Sequence, residues 1–330
     1  MTSVFASAPA NTMLMGEHAV LFGHSALVCA LTQRIYVRAN KRTDGQIVIV
    51  SALGHFQCLL TDLPSQLPQE SPFRFVLQAL ALCDLAEGVQ LEIESEFKHT
   101  LGLGSSAAVT VASLGAMALL TQGQFDTQAV MQLGIESIRK VQGRGSGADV
   151  AASALGGMVK FNAEPVSAQK VQLSEHAWHN APNLQLVYCG YKTPTPMVIE
   201  QVAQAALQEP QRFAQLYKHM GACIETAVKA LKLEQWRTFS QSMNQYQSFM
   251  RALGVSDETI ESIIQLAQKQ APLGALFGAK IAGSGLGDCV LLLGSEPLDW
   301  PHAQMSVQID PQGLRQEMSL PSQIPCEKPL

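Results

Sequence analysis

The sequence predicts an α+β fold, and three stretches carry that prediction. Val89–Phe97 alternates apolar and polar residues, the period of a half-buried strand. It leads through Thr100-Leu-Gly-Leu-Gly-Ser-Ser-Ala-Ala108 into Val109–Leu120, an uncharged run rich in Ala and Leu and long enough for a buried helix. Far downstream, Met197–Leu207, Gln211–Leu233, Trp236–Leu253 and Asp257–Gln270 read as four amphipathic helices. Strand-like Val290–Gly294 and Met305–Ile309 follow them.

The other elements follow in chain order. Val4–Ala8 reads as a short strand stopped by Pro9. Ala26–Arg38 and Gln46–Ser51 are strands joined by a turn at Thr43-Asp-Gly45, and Phe56–Leu60 adds a third. Pro72 opens a helix over Phe73–Leu85. Asp126–Val141 is a helix with an Asp cap, carrying Glu136 among apolar residues. Gly143-Arg-Gly-Ser-Gly147 is a turn, and Ala148–Leu155 a small-residue helix with Asp149 near its start, where an acid suits the helix dipole. Met158–Phe161 and Leu184–Tyr188 are strand-like, and the polar stretch Asn162–Pro182 between them is the expected domain boundary. Ala279–Cys289 is a second glycine-rich turn.

Composition narrows the class of partner. The chain has 330 residues, 47% hydrophobic and 15% charged, enough for one large or two medium domains. A net charge of −5 argues against a nucleic-acid partner. Met1–Phe5 lacks a basic region followed by a long apolar core, so no signal peptide is expected. Ala107–Leu120 is too short and too rich in Ser, Thr and Gly to cross a bilayer, so no membrane is expected either. Seven cysteines without a Cys-x-x-Cys pair read as reduced thiols of a cytoplasmic protein. Pro321–Leu330 reads as a loose tail.

Gly102 and Gly104 permit a tight turn and close approach of a ligand to bare backbone. Ser105 and Ser106 fall at the start of the following helix, where amide N–H groups lack partners and the dipole end is positive. That outlines an anion site, most naturally for phosphate. A Ser-capped helix after a glycine turn is the alternative. A dinucleotide fingerprint, Gly-x-Gly-x-x-Ala, fits the letters but not the context, because the helix runs into another helix instead of a second strand. In the apolar run Met13–Phe22, Glu17 and His18 must find partners if buried.

Gly102-Leu-Gly-Ser-Ser-Ala-Ala108 resembles the central ATP-binding motif of the GHMP kinases. Two further matches occur in the family's order. Ala8–Gly23 resembles the N-terminal motif, its Gly16-Glu-His-Ala-Val20 string being most like mevalonate kinases, and Lys280–Cys289 resembles the C-terminal glycine motif. Ser146-Gly-Ala-Asp149 and Tyr191-Lys-Thr-Pro-Thr195 match lesser signatures. The resemblance spans nearly the whole chain. It implies a two-lobed fold: an S5-like ATP-binding lobe over residues 1–170 and a ferredoxin-like lobe over 171–330.

The resemblance also implies a chemistry: ATP- and Mg²⁺-dependent phosphorylation of a small alcohol, most simply mevalonate. Phosphomevalonate or a sugar is the alternative acceptor, and a catalytically silent sensor the alternative class. Gly102, Leu103, Gly104, Ser105, Ser106 and Ala107 would cradle the ATP phosphates; Ser106 and Glu136 would hold Mg²⁺. Asp149 would take or orient the proton of the attacking alcohol. Glu17, His18, Thr195, Gly283 and Ser284 would place the substrate and the transferred phosphate. A homodimer is left open. The family's usual lysine is replaced by Asn11, with Lys192 or Arg144 the candidate substitute cations. Gly145–Asp149 and Gly285–Cys289 look more like phosphomevalonate kinases.

Overall fold

The structure is a computed structural model that describes residues 3–65, 71–98, 102–143, 145–272, 274–294 and 302–321. The chain forms two compact units, neither of them contiguous. One comprises Met1–Asn11, Ala30–Gly157 and Asp310–Pro329; the other comprises Thr12–Cys29 and Met158–Ile309.

The first unit is built on strands β1 (Val4–Met15), β2 (Ala26–Arg42), β3 (Gln46–Ser51) and β4 (Gly54–Leu59), both β1 and β2 having one end in the other unit. Helix α1 (Arg74–Ala81), strand β5 (Gly88–Ser95) and helices α2 (Ser105–Gln122), α3 (Thr127–Gln142) and α4 (Ala148–Leu155) follow. Its sheet runs β12-β1-β2-β5-β3-β4, where β12 is Arg315–Glu317 from the far end of the sequence. Pro9 does not stop β1. β12 is three residues long and pairs only Phe5–Ser7, so by Pro9 one side of β1 has no ladder from that strand to interrupt. α1 ends four residues earlier than expected, in tight turns from Leu82 N to Ala79 O and Cys83 N to Leu80 O.

α2 is apolar on every side and therefore sits in the core, against α1, α3 and α4. It is the one described helix long and apolar enough to cross a membrane by length and composition, and most of it is buried by this packing. Close approach uses glycine twice: a Cβ on Gly115 would meet Leu314, and one on Gly134 would meet Val150. Asp126 caps α3 by accepting from Gln128 N and Ala129 N. The C-terminal segment is fastened by fully buried Arg34. Its guanidinium pairs with Asp310 and donates to Ser7 O at 3.0 Å and Gly313 O at 2.6 Å.

In the second unit, Ala26–Cys29 of β2 pairs antiparallel with β6 (Met158–Ala163), which pairs β7 (Val166–Lys170). The stretch read as a boundary thus holds β7 and the short helix α5 (Glu175–His179), whose first turn is capped by Ser174. Strand β8 (Asn183–Lys192), helices α6 (Thr195–Gln208), α7 (Pro210–Lys232), α8 (Trp236–Ala252) and α9 (Glu258–Gln270), then β9 (Gly278–Ala282), β10 (Gly287–Gly294) and β11 (Gln304–Val307) complete it. The sheet β11-β8-β10-β9 is antiparallel throughout, the ferredoxin-like order in which the first and third strands lie at the centre. Ala279–Ala282, read as part of a turn, is buried strand, and the turn proper begins at Gly283. Residues 322–330, most of the expected tail, lie outside the described residues.

Candidate active site

In the first unit Gly102–Gly104 lead into α2. Gly102 and Gly104 take positive φ values of 70° and 66°, and Gly104 is the N-cap of α2. No side chain caps the helix, so Ser105 and Ser106, both half-buried, do not spend their hydroxyls on their own backbone. The Ser-capped alternative is therefore not what forms. What forms is an 18-residue helix whose N-terminus follows a bare glycine turn, a geometry suited to phosphate. Leu103 and Ala107 are buried and anchor the turn from below.

Asn11 has a different role from the lysine it replaces. It is 1% exposed; its N–H donates to Leu103 O at 3.0 Å and its Nδ2 to Ser153 Oγ at 3.0 Å and, more weakly, to Gly104 O at 3.4 Å. Ser153 in turn donates to Pro9 O at 2.8 Å. A Cβ on Gly104 would lie 2.2 Å from the Asn11 amide. Asn11 is a brace for the glycine turn, and it brings no charge.

Asp149 is exposed in the first turn of α4. The N-terminus of that helix is served by Ser146, whose Oγ accepts from Ala148 N at 3.2 Å, and by Gly147 at φ 94°. Arg139 holds the preceding turn, donating to Gly145 O and Ser146 O at 3.3 and 3.2 Å. Arg144, named as a substitute cation, lies outside the described residues. Glu136 stands on the solvent face of α3, half-exposed, with Oε1 2.8 Å from Lys140 Nζ. Lys140, one turn along the same helix, thus already engages this carboxylate. Among the described residues there is no group of three or more His, Cys, Asp or Glu side chains that could hold a metal by itself.

The second unit gathers Glu17, His18, Thr195, Gly283 and Ser284. β1 ends at Met15, and Gly16, at φ 118°, lies so close to Ala26 that a Cβ would sit 2.4 Å from its Cα. Glu17 and His18 are buried, and His18 has the positive φ of 61° that a side chain rarely adopts. His18 Nε2 lies 2.8 Å from Ser284 O. A carbonyl only accepts, so Nε2 carries the proton. Burial lowers the imidazole's pKa, favouring the neutral ring, which leaves Nδ1 as an acceptor. Ser284 Oγ and Thr195 Oγ1 are 3.4 Å apart, and Thr193 Oγ1 donates to Leu286 O at 2.6 Å.

A residue known from the sequence only as part of the C-terminal motif supplies the charge beneath this cluster. Lys280 is fully buried on β9, its Nζ 2.5 Å from Glu17 Oε1, with Ile281 O and Met13 O as its other acceptors. Three acceptors match the three N–H bonds of an ammonium. Burial lowers the Lys280 pKa and raises that of Glu17, and each partner's charge opposes the shift of the other. Glu17 Oε2 is buried and has no hydrogen-bond partner among the described residues. Lys192, the other named cation, is 2.6 Å from Asp288.

The glycine turn opening an uncapped helix in the first unit is suited to phosphate, as in a small-molecule kinase of the α+β class. Family models agree with that class: the GHMP kinases N terminal domain matches residues 73–157 and the GHMP kinases C terminal domain residues 227–299. A mevalonate kinase of Archaeoglobus fulgidus is 31% identical over 303 residues, covering 89% of this chain and 94% of that protein. One from Pyrococcus abyssi is 29% identical over 307 residues, covering 88% of each. Among solved structures, Lactococcus lactis galactokinase complexed with galactose superposes with a TM-score of 0.79 at 17% identity, covering 95% of both chains. Methanococcus jannaschii mevalonate kinase gives 0.76 at 18% identity, covering 93% of this chain and 98% of that one. The chain belongs to the GHMP kinase family.

Proposed function

We propose that this chain is an ATP-dependent kinase that phosphorylates the primary alcohol of mevalonate. The observation that carries the reading is the braced, uncapped N-terminus of α2 behind Gly102–Gly104, found in a chain whose relatives over nearly its full length are mevalonate kinases. The glycine turn at 102–107 and Asp149 belong to the first unit, and Glu17, His18, Thr195, Gly283 and Ser284 to the second.

Phosphoryl transfer needs alignment and charge neutralisation more than covalent chemistry. The N–H groups of the 102–107 turn hold the ATP phosphates at the positive end of α2. The Ser106 hydroxyl offers the hard oxygen that Mg²⁺ favours, alongside phosphate oxygens and water. Mg²⁺ supplies charge neutralisation to the phosphates when bound. Glu136, tied to Lys140, is left out of this role. Asp149 accepts the proton of the attacking hydroxyl. His18 Nδ1 accepts a hydrogen bond from the substrate, while Thr195 and the Gly283–Ser284 backbone orient it. The six described cysteines are all free thiols, which supports a cytoplasmic setting.

The test is ADP release with mevalonate, phosphomevalonate and galactose at equal Mg-ATP. Mevalonate turnover with the highest kcat/KM supports the proposal. Preference for either other compound, or no turnover of any, refutes it.

A further inference from the structure

The three ordered motifs leave Lys280 without a task. It is among the largest fully buried side chains of the protein, a charge placed where charge is costly. Its only ionic partner among the described residues is Glu17, 263 positions away in sequence. Glu17 Oε1, the oxygen Lys280 holds, also lies 3.5 Å from Gly283 N, the first N–H of the second glycine turn. The same segment is fixed twice more, by Tyr246 Oη donating to Glu17 O at 2.9 Å and by His18 Nε2 donating to Ser284 O.

The turn itself needs holding. Gly283, Gly285, Leu286, Gly287 and Asp288 all carry positive φ, two of them non-glycine residues at 54° and 66°. Such backbone persists only where its surroundings over-determine it. A trans peptide points its C=O and N–H in opposite directions. Fixing Ser284 O therefore also fixes the direction of Gly285 N–H, and fixing Gly283 N sets the peptide before it.

We infer that Lys280 is a positioning residue: through Glu17 it sets the Gly283–Gly287 turn in the orientation that receives the acceptor substrate. It touches no reacting atom. Glu17 accordingly acts through Oε1 on the turn. This inference deepens the proposed kinase reading and rests on it for its kinetic consequence only; the orientation of the turn can be measured without substrate.

Two double variants separate positioning from packing. Glu17→Leu with Lys280→Met removes both charges and keeps side-chain volume, a replacement that buried ion pairs often tolerate in stability. It also removes the acceptor that faces Gly283 N. Glu17→Gln with Lys280→Met removes both charges but retains an acceptor. The expected result is that both fold, and that amide hydrogen exchange in a peptide covering 279–289 quickens at least tenfold in the Leu/Met variant and clearly less in the Gln/Met variant. The KM for mevalonate should rise at least tenfold in the Leu/Met variant, with the Gln/Met variant at least fivefold below it. The Kd for ATP, measured by calorimetry, should move less than twofold in both.

Parental exchange and KM in the Leu/Met variant would overturn the inference, as would equal loss in the two variants. If the parent does not turn over mevalonate, the kinase reading fails while the exchange of both variants against the parent still decides whether the Glu17–Lys280 pair positions the turn. Should the Leu/Met variant fail to fold, the exchange of Lys280→Arg, which keeps the charge on Glu17, takes its place: slow exchange supports positioning and fast exchange refutes it.

Discussion

Gly104→Ala tests the glycine turn most directly. The substitution meets two costs that the structure makes separable. At φ 66° an alanine sits in left-handed backbone, which costs about 1–2 kcal/mol. Its Cβ would also lie 2.2 Å from the buried Asn11 amide, so that side chain must leave Ser153 and Gly104 O. Two hydrogen bonds at about 0.5–1.5 kcal/mol each bring the whole to roughly 2–5 kcal/mol. Part of this appears as lost stability and part as a displaced turn, so ATP affinity should fall about tenfold or more. The assay is a thermal melt paired with calorimetric titration of ATP. Asn11→Ala removes the obstacle, so the double variant Asn11→Ala/Gly104→Ala should cost less than the two single changes together. Strict additivity, or a Gly104→Ala protein with parental melting temperature and ATP affinity, would refute the brace between Asn11 and the turn.

Asp149→Asn should lower kcat by roughly 10²–10⁴-fold with the Kd for ATP little changed, the scale of one lost acid–base group; a variant that only melts earlier would reduce Asp149 to a helix-dipole partner. Ser106→Ala should need more Mg²⁺ for half-maximal rate, whereas Glu136→Gln, losing only its pairing with Lys140, should show the parental Mg²⁺ titration. Phosphomevalonate should be a far poorer substrate than mevalonate in side-by-side ADP release, since Lys280 is buried against Glu17 and Lys192 faces Asp288, which leaves few cations for a second phosphate. For pH, the His18 pKa is held below the ordinary 6.5, so below that pH the unfolded chain binds the extra proton first. Stability should be level above about pH 7 and fall as pH drops through 6.5, and His18→Gln should flatten that part of a melting-temperature profile.

The elements with strong periodicity or a clean cap were legible from sequence: α3 behind Asp126, α9 behind Asp257, and the strand–glycine–helix passage into α2. Pro9 misleads because its lost N–H matters only where a ladder needs it, and sequence does not reveal how short β12 is. The 162–182 stretch looks like a linker because β7 is an outer strand that among the described residues pairs only β6, and none of its five residues is buried. Of the site, the helix N-terminus can be read from residue order alone. The Glu17–Lys280 pair cannot, because the two charges lie 263 positions apart and their only sequence mark is that each interrupts an apolar run. That interruption was the available signal. Glu136 was named through the family resemblance, and the helical phase of α3, which buries Ile135 and Ile138, turns it outward. Asn11 shows the converse: the change from the family's lysine was visible, but its use as a brace depends on Ser153 in α4, 142 positions away.

The non-contiguous make-up of both units has a consequence in time. During synthesis the first unit cannot close its sheet until β12 emerges, at positions 315–317 of a 330-residue chain. Nor can the second cover Glu17 until Lys280 is made. For most of translation the nascent protein therefore carries an edge strand without its neighbour and an acid without its cation. Truncation from the C-terminus should behave as arrest at that stage: losing even the last β12 residues should leave β1 with an open edge, and the cell should treat the product as unfinished.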